Sequence, residues 1–171
     1  MSQRDDEFTA YVAARSSKLL RLAYVLAGNR GDAEDLVQVA LTKAYLAWPR
    51  IQSEYAVDSY VRTCLVRSHF AGRRRRTLSL VPLSVDPVDS RSDAAIAAVE
   101  NRDHLWQALR TLPPRQRTVI VLKYLEDLDE ASIADLMKCS RGTVKSQTSK
   151  ALKTLERAQQ FDSNIDPQAR R

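Results

Sequence analysis

Apolar side chains recur three and four positions apart over long stretches of this chain, and only four glycines and six prolines are available to interrupt them in 171 residues. Backbone breakers are the main punctuation a sequence has, so their scarcity restricts the chain to helices joined by few turns. Phe8, Val12, Leu19, Leu22, Ala23 and Leu26 follow this spacing and predict a first helix from about Asp5 to Ala27, closed by Gly28-Asn29-Arg30-Gly31. Asp32 is the expected N-cap of a second helix, with Glu34 and Asp35 in its first turn, where the helix dipole favours acids. Leu36, Val37, Ala40, Leu41, Ala44 and Tyr45 form its apolar stripe as far as Trp48-Pro49. A third helix, from near Val57 to Arg75, is expected to bury Tyr60, Val61 and Leu65, with Cys64 beside them.

From Thr77 to Asp93 the helical period disappears, and Pro82 and Pro87 stand among several Ser and Asp residues, the composition of a flexible linker. Four more helices are expected beyond it. They span Ala94 to Leu109, Arg115 to Leu125 after the break at Leu112-Pro113-Pro114, Glu130 to Met137, and Arg141 to about Gln159. Nothing reads as a strand or a repeat. The fold class is therefore all-α, with two small helical domains at residues 1–76 and 94–160, an acidic linker at 77–93 and a tail at 161–171.

The net charge of +6 decides little as a total, but it is distributed in blocks. Residues 1–70 are nearly neutral, and Arg73, Arg74, Arg75 and Arg76 then follow one another without an acid. The next stretch is acidic, with Asp86, Asp89, Asp93 and Glu100 against Arg91 alone. Between Lys138 and Arg157 six basic residues meet one acid, so two cationic clusters flank an acidic stretch and suggest a polyanionic partner.

Other function classes find no support. No apolar run approaches the ~20 residues that cross a bilayer, so membrane insertion is not expected. The polar, acidic start Met1-Ser-Gln-Arg-Asp-Asp-Glu is unlike a secretory signal and leads to the expectation of a cytoplasmic protein. Cys64 and Cys139 lie far apart with no Cys-x-x-Cys spacing and read as two buried thiols, and His69 and His104 are isolated, so neither a metal nor a disulfide is expected. The sequence holds no phosphate loop, no nucleophile elbow and no convincing carboxylate pair; neither enzymatic activity nor a cofactor is expected.

The segment from Glu130 to Ser146 has the spacing of a helix-turn-helix. Ile133, Ala134 and Leu136 can face inward on its first helix, Val144 and Leu152 on its second, and small Ala134 permits a close crossing. Ser140 is placed to cap the second helix, which leaves Arg141, Thr143, Lys145, Ser146 and Gln147 at its start and Lys150 further along the same cationic face. The first turns of such a helix enter the major groove, where Arg, Lys and Gln reach base edges and hydroxyls reach phosphates. An ordinary hairpin with a solvated basic face is the bland reading of the same pattern. Arg115 and Arg117 are either further phosphate contacts or simple surface residues.

The motifs Leu112-Pro-Pro-Arg-Gln-Arg, Val121-Leu-Lys-Tyr-Leu-Glu-Asp-Leu, Ile133-Ala and Gly142-Thr-Val-Lys-Ser resemble the promoter-binding fourth region of bacterial sigma-70 family initiation factors. Asp32-Ala-Glu-Asp-Leu-Val-Gln and Ala44-Tyr-Leu-Ala-Trp resemble the second region of the extracytoplasmic-function (ECF) group, within it the actinobacterial SigE-type branch. The resemblance covers roughly Glu7 to Arg157 and implies a function: joining core RNA polymerase, recognising the −35 element with the fourth region, and recognising and opening the −10 element with the second.

It also implies roles residue by residue. Asp35 and Gln38, with Glu34 nearby, match positions that dock on the clamp helices of the largest polymerase subunit, although capping charge explains Glu34 equally well. Arg62, Arg67 and Arg73 to Arg76 fall on the element that approaches the −10 region; Tyr55, Tyr60 and Phe70 are candidate neighbours of unstacked bases, with Tyr60 the one expected in the core. The linker would thread the polymerase as a weak nucleic-acid mimic, or serve only as an acidic tether. Partners would be core polymerase, double-stranded promoter DNA and the opened −10 strand; an anti-sigma factor stays open as a further one. Gln147, Val39 and Arg67 depart from common family residues and leave the preferred promoter sequence open. The alternative from a different class is a helix-turn-helix repressor or activator, which would dimerise on a palindromic site.

Overall fold

The computed structural model describes residues 3–51, 53–78 and 103–165, and the chain divides into two compact units, Met1–Ala98 and Val99–Arg171. Among the described residues every regular element is helical. The expected linker acids Asp86, Asp89 and Asp93, and the start of the helix expected from Ala94, lie outside the described residues.

In the amino-terminal unit, α1 spans Gln3–Ala27, α2 spans Arg30–Ala47 and α3 spans Glu54–Leu78. Gly28 takes a φ of 87° and its N–H donates to the Tyr24 carbonyl at 2.8 Å, which turns the chain out of α1 in the conformation glycine adopts at least cost. The cap of α2 is Asn29, three residues before the expected Asp32. Its side-chain oxygen accepts the Asp32 N–H at 2.9 Å, and its amide donates to the Asp32 carboxylate at 2.9 Å. The helix starts earlier because Asn29 satisfies the third N–H of the first turn, and Asp32 is drawn into that turn as a reciprocal partner.

α2 packs against both α1 and α3, and α1 also touches α3. α2 presents Ala33, Ala40 and Ala44 at the crossings, all fully buried, so the backbones approach closely; Leu36, Val37 and Leu41 are only half-buried beside them. The core between the helices holds Leu22, Tyr24, Leu26, Val61, Leu65 and Val66. Tyr60, expected inside, is 37% exposed. The buried line of α3 runs through Val57, Val61, Leu65 and His69 at steps of four, and Tyr60 falls on its flank. α3 also continues past the expected end at Arg75, since an arginine run has good helix propensity and no breaker follows before Pro82.

Arg4, Phe8, Tyr11, Tyr45 and Trp48 tie the start of α1 to the end of α2. Phe8 meets Tyr45 and Trp48 edge-on at 5.0 and 5.2 Å, Tyr11 meets Trp48 at 5.6 Å, and the Arg4 guanidinium lies 4.0 Å from the Tyr45 ring centre.

The carboxy-terminal unit contains α4 (Asp103–Thr111), α5 (Pro114–Ile120) running into a π-helical turn (Val121–Leu125), α6 (Glu130–Met137) and α7 (Arg141–Ile165). Pro114 opens α5 where a missing N–H costs nothing. The single helix expected from Arg115 to Leu125 widens at Val121, and its end is held by the Glu126 N–H donating to the Val121 carbonyl at 3.1 Å. α7 is the spine against which α4, α5 and α6 pack, around Leu112, Leu122, Ile133 and Val144.

Candidate nucleic-acid interface

The helix-turn-helix is built from two caps and one left-handed residue. Asp129 accepts the Ser132 N–H at 2.7 Å and so opens α6; this bond, with help from nearby Arg141, holds the Asp129 carboxyl below the usual carboxylate range. α6 ends at Lys138, whose φ of 53° is the left-handed conformation usually left to glycine. The next N–H, of Cys139, donates to the Ala134 carbonyl at 3.0 Å, reversing the chain within three residues. Ser140 then caps α7 as expected, its oxygen accepting the Thr143 N–H at 3.0 Å. Cys139, expected to be buried, is half-exposed in this turn, while Cys64 is buried and burial pushes its thiol pKa up.

Ile133, Ala134 and Leu136 face inward on α6, as does Val144 on α7. Leu152 does not: it is 38% exposed, and Thr148 and Ala151 complete the buried line instead. Counting about 100° per residue, positions 148 and 151 stay within about 40° of 144, whereas 152 lies about 80° away. A larger residue at Leu152 therefore rides on the rim while small Ala151 sits at the crossing. Ser140, Arg141, Lys145, Ser146 and Lys150 are exposed around the first turns of α7, and Thr143 and Gln147 are half-buried. Arg115 is exposed at the start of α5. Arg117 donates to the Leu112 carbonyl at 3.3 Å, which engages it in holding the turn before α5.

In the amino-terminal unit the six basic positions of α3 do not form one stripe. Arg62 and Arg73 share one face of the helix and Arg67 and Arg74 another, about 140° away at the same rotation per residue; Arg75 and Arg76 occupy the last turns. Arg67 and Arg74 are exposed, and Arg62 and Arg73 are half-buried. Arg62 lies near enough to Tyr11 to oppose the upward shift that burial and Asp58 impose on that phenol. Tyr55 stands 82% exposed on the first turn of α3, and Phe70 is half-buried with its ring 5.2 Å from that of His69.

On α2, Asp35 and Gln38 are exposed, and Glu34 pairs with Arg30 at 2.7 Å. The same side of the helix carries Val39, 43% exposed, and Leu46, 71% exposed. The spacing of Leu46, seven from Val39 and eight from Gln38, is the sequence signal that places it on this side of the helix. The face is thus polar at one end and apolar at the other, a mixture suited to a protein partner.

The family model for Sigma-70 region 2 matches residues 11–77, and that for Sigma-70, region 4 matches residues 102–155. The RNA polymerase sigma-E factor of Streptomyces coelicolor is 36% identical over 149 residues, which covers 87% of this chain and 84% of that protein. The chain belongs to the sigma-70 family. Within this sigma-70 family chain, the region 2 match runs from Tyr11 in α1 to the end of α3, and the region 4 match takes in α4 to α6 and most of α7. The ECF RNA polymerase sigma factor SigW of Bacillus subtilis is 27% identical over 170 residues, covering 89% of this sigma-70 chain and 88% of its own. The fold is shared with the sigma factor RpoE of Bartonella quintana, solved in complex with the anti-sigma factor NepR, with a TM-score of 0.69 at 22% identity over 91% of this chain and 98% of that one. Among the described residues no helix is long and apolar enough to cross a membrane, and no group of three or more His, Cys, Asp or Glu is placed to hold a metal ion.

Proposed function

We propose that this chain is an ECF sigma factor that brings core RNA polymerase to specific promoters in the cytoplasm and assists their opening, the chemistry of transcription being left to the polymerase. The observation that carries the reading is the start of α7, where a Ser140 cap and a buried line through Val144, Thr148 and Ala151 leave Arg141, Lys145, Ser146 and Lys150 exposed. In this reading Ser140, Arg141, Thr143, Lys145, Ser146, Gln147 and Lys150 meet the −35 element in the major groove. Residues 94–160 form that DNA-binding domain and residues 1–76 the domain for the polymerase and the −10 element. Asp35 and Gln38 dock on the clamp helices of the largest subunit, with Glu34 held aside by Arg30 and Leu46 adding apolar contact.

On α3, Arg67 and Arg74 neutralise phosphates of the −10 region together with Arg75 and Arg76. Arg62 and Arg73 lie on the other face of the helix and approach the opened strand or the packed core of the unit. Tyr55 is the best placed aromatic for stacking on an unpaired base, because its exposure costs no core packing. Each domain alone holds DNA weakly, and the affinity arises when the polymerase fixes both against one promoter. An anti-sigma factor is a further partner of this reading, supported by the complex in which the Bartonella relative was solved.

The test is reconstitution. Purified core polymerase and this protein, given genomic DNA of the source organism, should yield transcripts from a discrete set of starts that core polymerase alone does not use. Failure to initiate at any promoter of that genome overturns the reading. Aligning the sequences upstream of the starts then gives the two promoter elements.

A further inference from the structure

The carboxylate of Glu130, the first residue of α6, lies between two ammonium groups. Its Oε1 is 3.3 Å from Lys123 Nζ in the π-helical turn, and its Oε2 is 3.8 Å from Lys145 Nζ on α7. The two cations are not equivalent. Lys123 is 30% exposed and at hydrogen-bond distance, whereas Lys145 is 67% exposed and at the limit of ion pairing. Glu130 itself is 24% exposed, so its charge is poorly solvated and needs a partner at all times.

We propose that Glu130 is a positioning residue for DNA binding, a resident anion that occupies Lys145 in the free protein and exchanges it for a backbone phosphate on promoter contact. The proposal rests on the reading of Lys145 as a phosphate contact. An exposed, long ion pair is weak and screened by salt, which makes Lys145 easy to release. Releasing it would strand a half-buried carboxylate if it were the sole cation there, but Lys123 remains at 3.3 Å and keeps Glu130 neutralised. The three groups thus form an exchange site, with Lys123 as the fixed partner and Lys145 as the transferable one. Glu130 also stands close to where a phosphate on Lys145 would sit, and like charge there opposes binding. Its combined effect is to hold Lys145 in place before contact and to lower the affinity for any phosphate that arrives. Selection then falls on sites where base contacts by the neighbouring residues of α7 make up the difference.

This arrangement predicts opposite signs for two substitutions that each break the same salt bridge. Glu130→Gln removes the competing charge and keeps the shape; affinity of the full-length protein for a duplex carrying the upstream half of a mapped promoter should rise about three- to tenfold at a fixed salt concentration, with the slope of log K against log salt kept, because Lys145 meets the same phosphate in both proteins. Lys123→Gln leaves Glu130 with Lys145 as its cation and should weaken binding by a similar factor. Both effects should vanish in a Lys145→Ala background. A merely structural bridge would move both substitutions the same way, and the unfolding midpoint in urea reports that component separately. Weaker or unchanged binding by Glu130→Gln, or a gain that persists without Lys145, overturns the proposal. If Lys145→Ala itself leaves affinity and salt slope untouched, the phosphate role of Lys145 fails and the exchange with it; a loss on Lys145→Ala beside no response to Glu130→Gln overturns the exchange alone.

Discussion

The phenol of Tyr11 on α1 donates a hydrogen bond to the Asp58 carboxylate on α3 at 2.9 Å, joining residues 47 positions apart. Arg15 completes the contact from α1, with its guanidinium 3.3 Å from the other Asp58 oxygen. The pair clamps the two outer helices of the amino-terminal unit. Tyr11→Phe keeps the ring against Trp48 and removes the bond, so it should cost about 1 kcal/mol in urea unfolding. Burial first, and then Asp58, raises the Tyr11 pKa well above its ordinary value of 10.0. The stabilisation is therefore fully present below that value and is lost as pH rises through the native-state pKa, because the unfolded chain ionises first. Tyr11→Phe should remove this alkaline sensitivity, and a variant with an unchanged pH profile would count against the linkage.

Asp129 behaves in the opposite sense. Its carboxyl is held below the ordinary 3.8 by the Ser132 N–H, so its contribution to α6 is present above that value and lost as pH falls through the lowered native pKa. Asp129→Asn keeps an acceptor for the cap without the titration. Thermal melts at pH values from neutral to strongly acid should show a flatter profile for Asp129→Asn than for the parent, and a lower melting temperature at neutral pH for Asp129→Ala.

The buried line of α7 gives a size test. Ala151 is fully buried, so Ala151→Leu should overpack that line and cost about 1–3 kcal/mol in urea unfolding. Leu152, on the rim, should tolerate Leu152→Ala within about 0.5 kcal/mol. The reverse order would mean that the apolar line of α7 runs through Leu152 after all.

For DNA, Lys145→Ala and Lys150→Ala should each weaken binding to a promoter fragment and lower the salt slope by roughly one unit, since each would remove one phosphate contact. Fluorescence anisotropy across a salt series measures it. An unchanged slope would take the residue off the phosphate contacts.

Tyr55 separates recognition from opening. Because the ring is 82% exposed, Tyr55→Ala should leave the unfolding midpoint unchanged while reducing the thymine reactivity that permanganate detects in the opened promoter. Equal opening by both proteins would assign stacking to another residue.

Much of the fold was legible locally. The expected α6 has the observed limits, Glu130 to Met137, because a polar cap, a short apolar run and a following turn are all encoded within a dozen residues. Ser140 as a cap and Val144 as a core residue were readable for the same reason. Other assignments failed where two neighbours competed for one role: Asn29 against Asp32 as the cap of α2, Ala151 against Leu152 at the crossing. Local pattern ranks such neighbours by type, whereas the geometry of the packed helices ranks them by direction.

The sequence by itself determined that the chain is helical, where its cationic blocks fall, and which family its motifs resemble, since periodicity, charge order and motif spacing are properties of position along the chain. Only tertiary structure decided that Tyr60 stands at the surface, that Arg62 and Arg73 are half-buried while Arg67 and Arg74 are exposed, and that Glu130 sits between Lys123 and Lys145. Those outcomes depend on the rotation of each helix about its axis and on the contact of elements separated by turns, and a rotation is set by everything that packs against the helix.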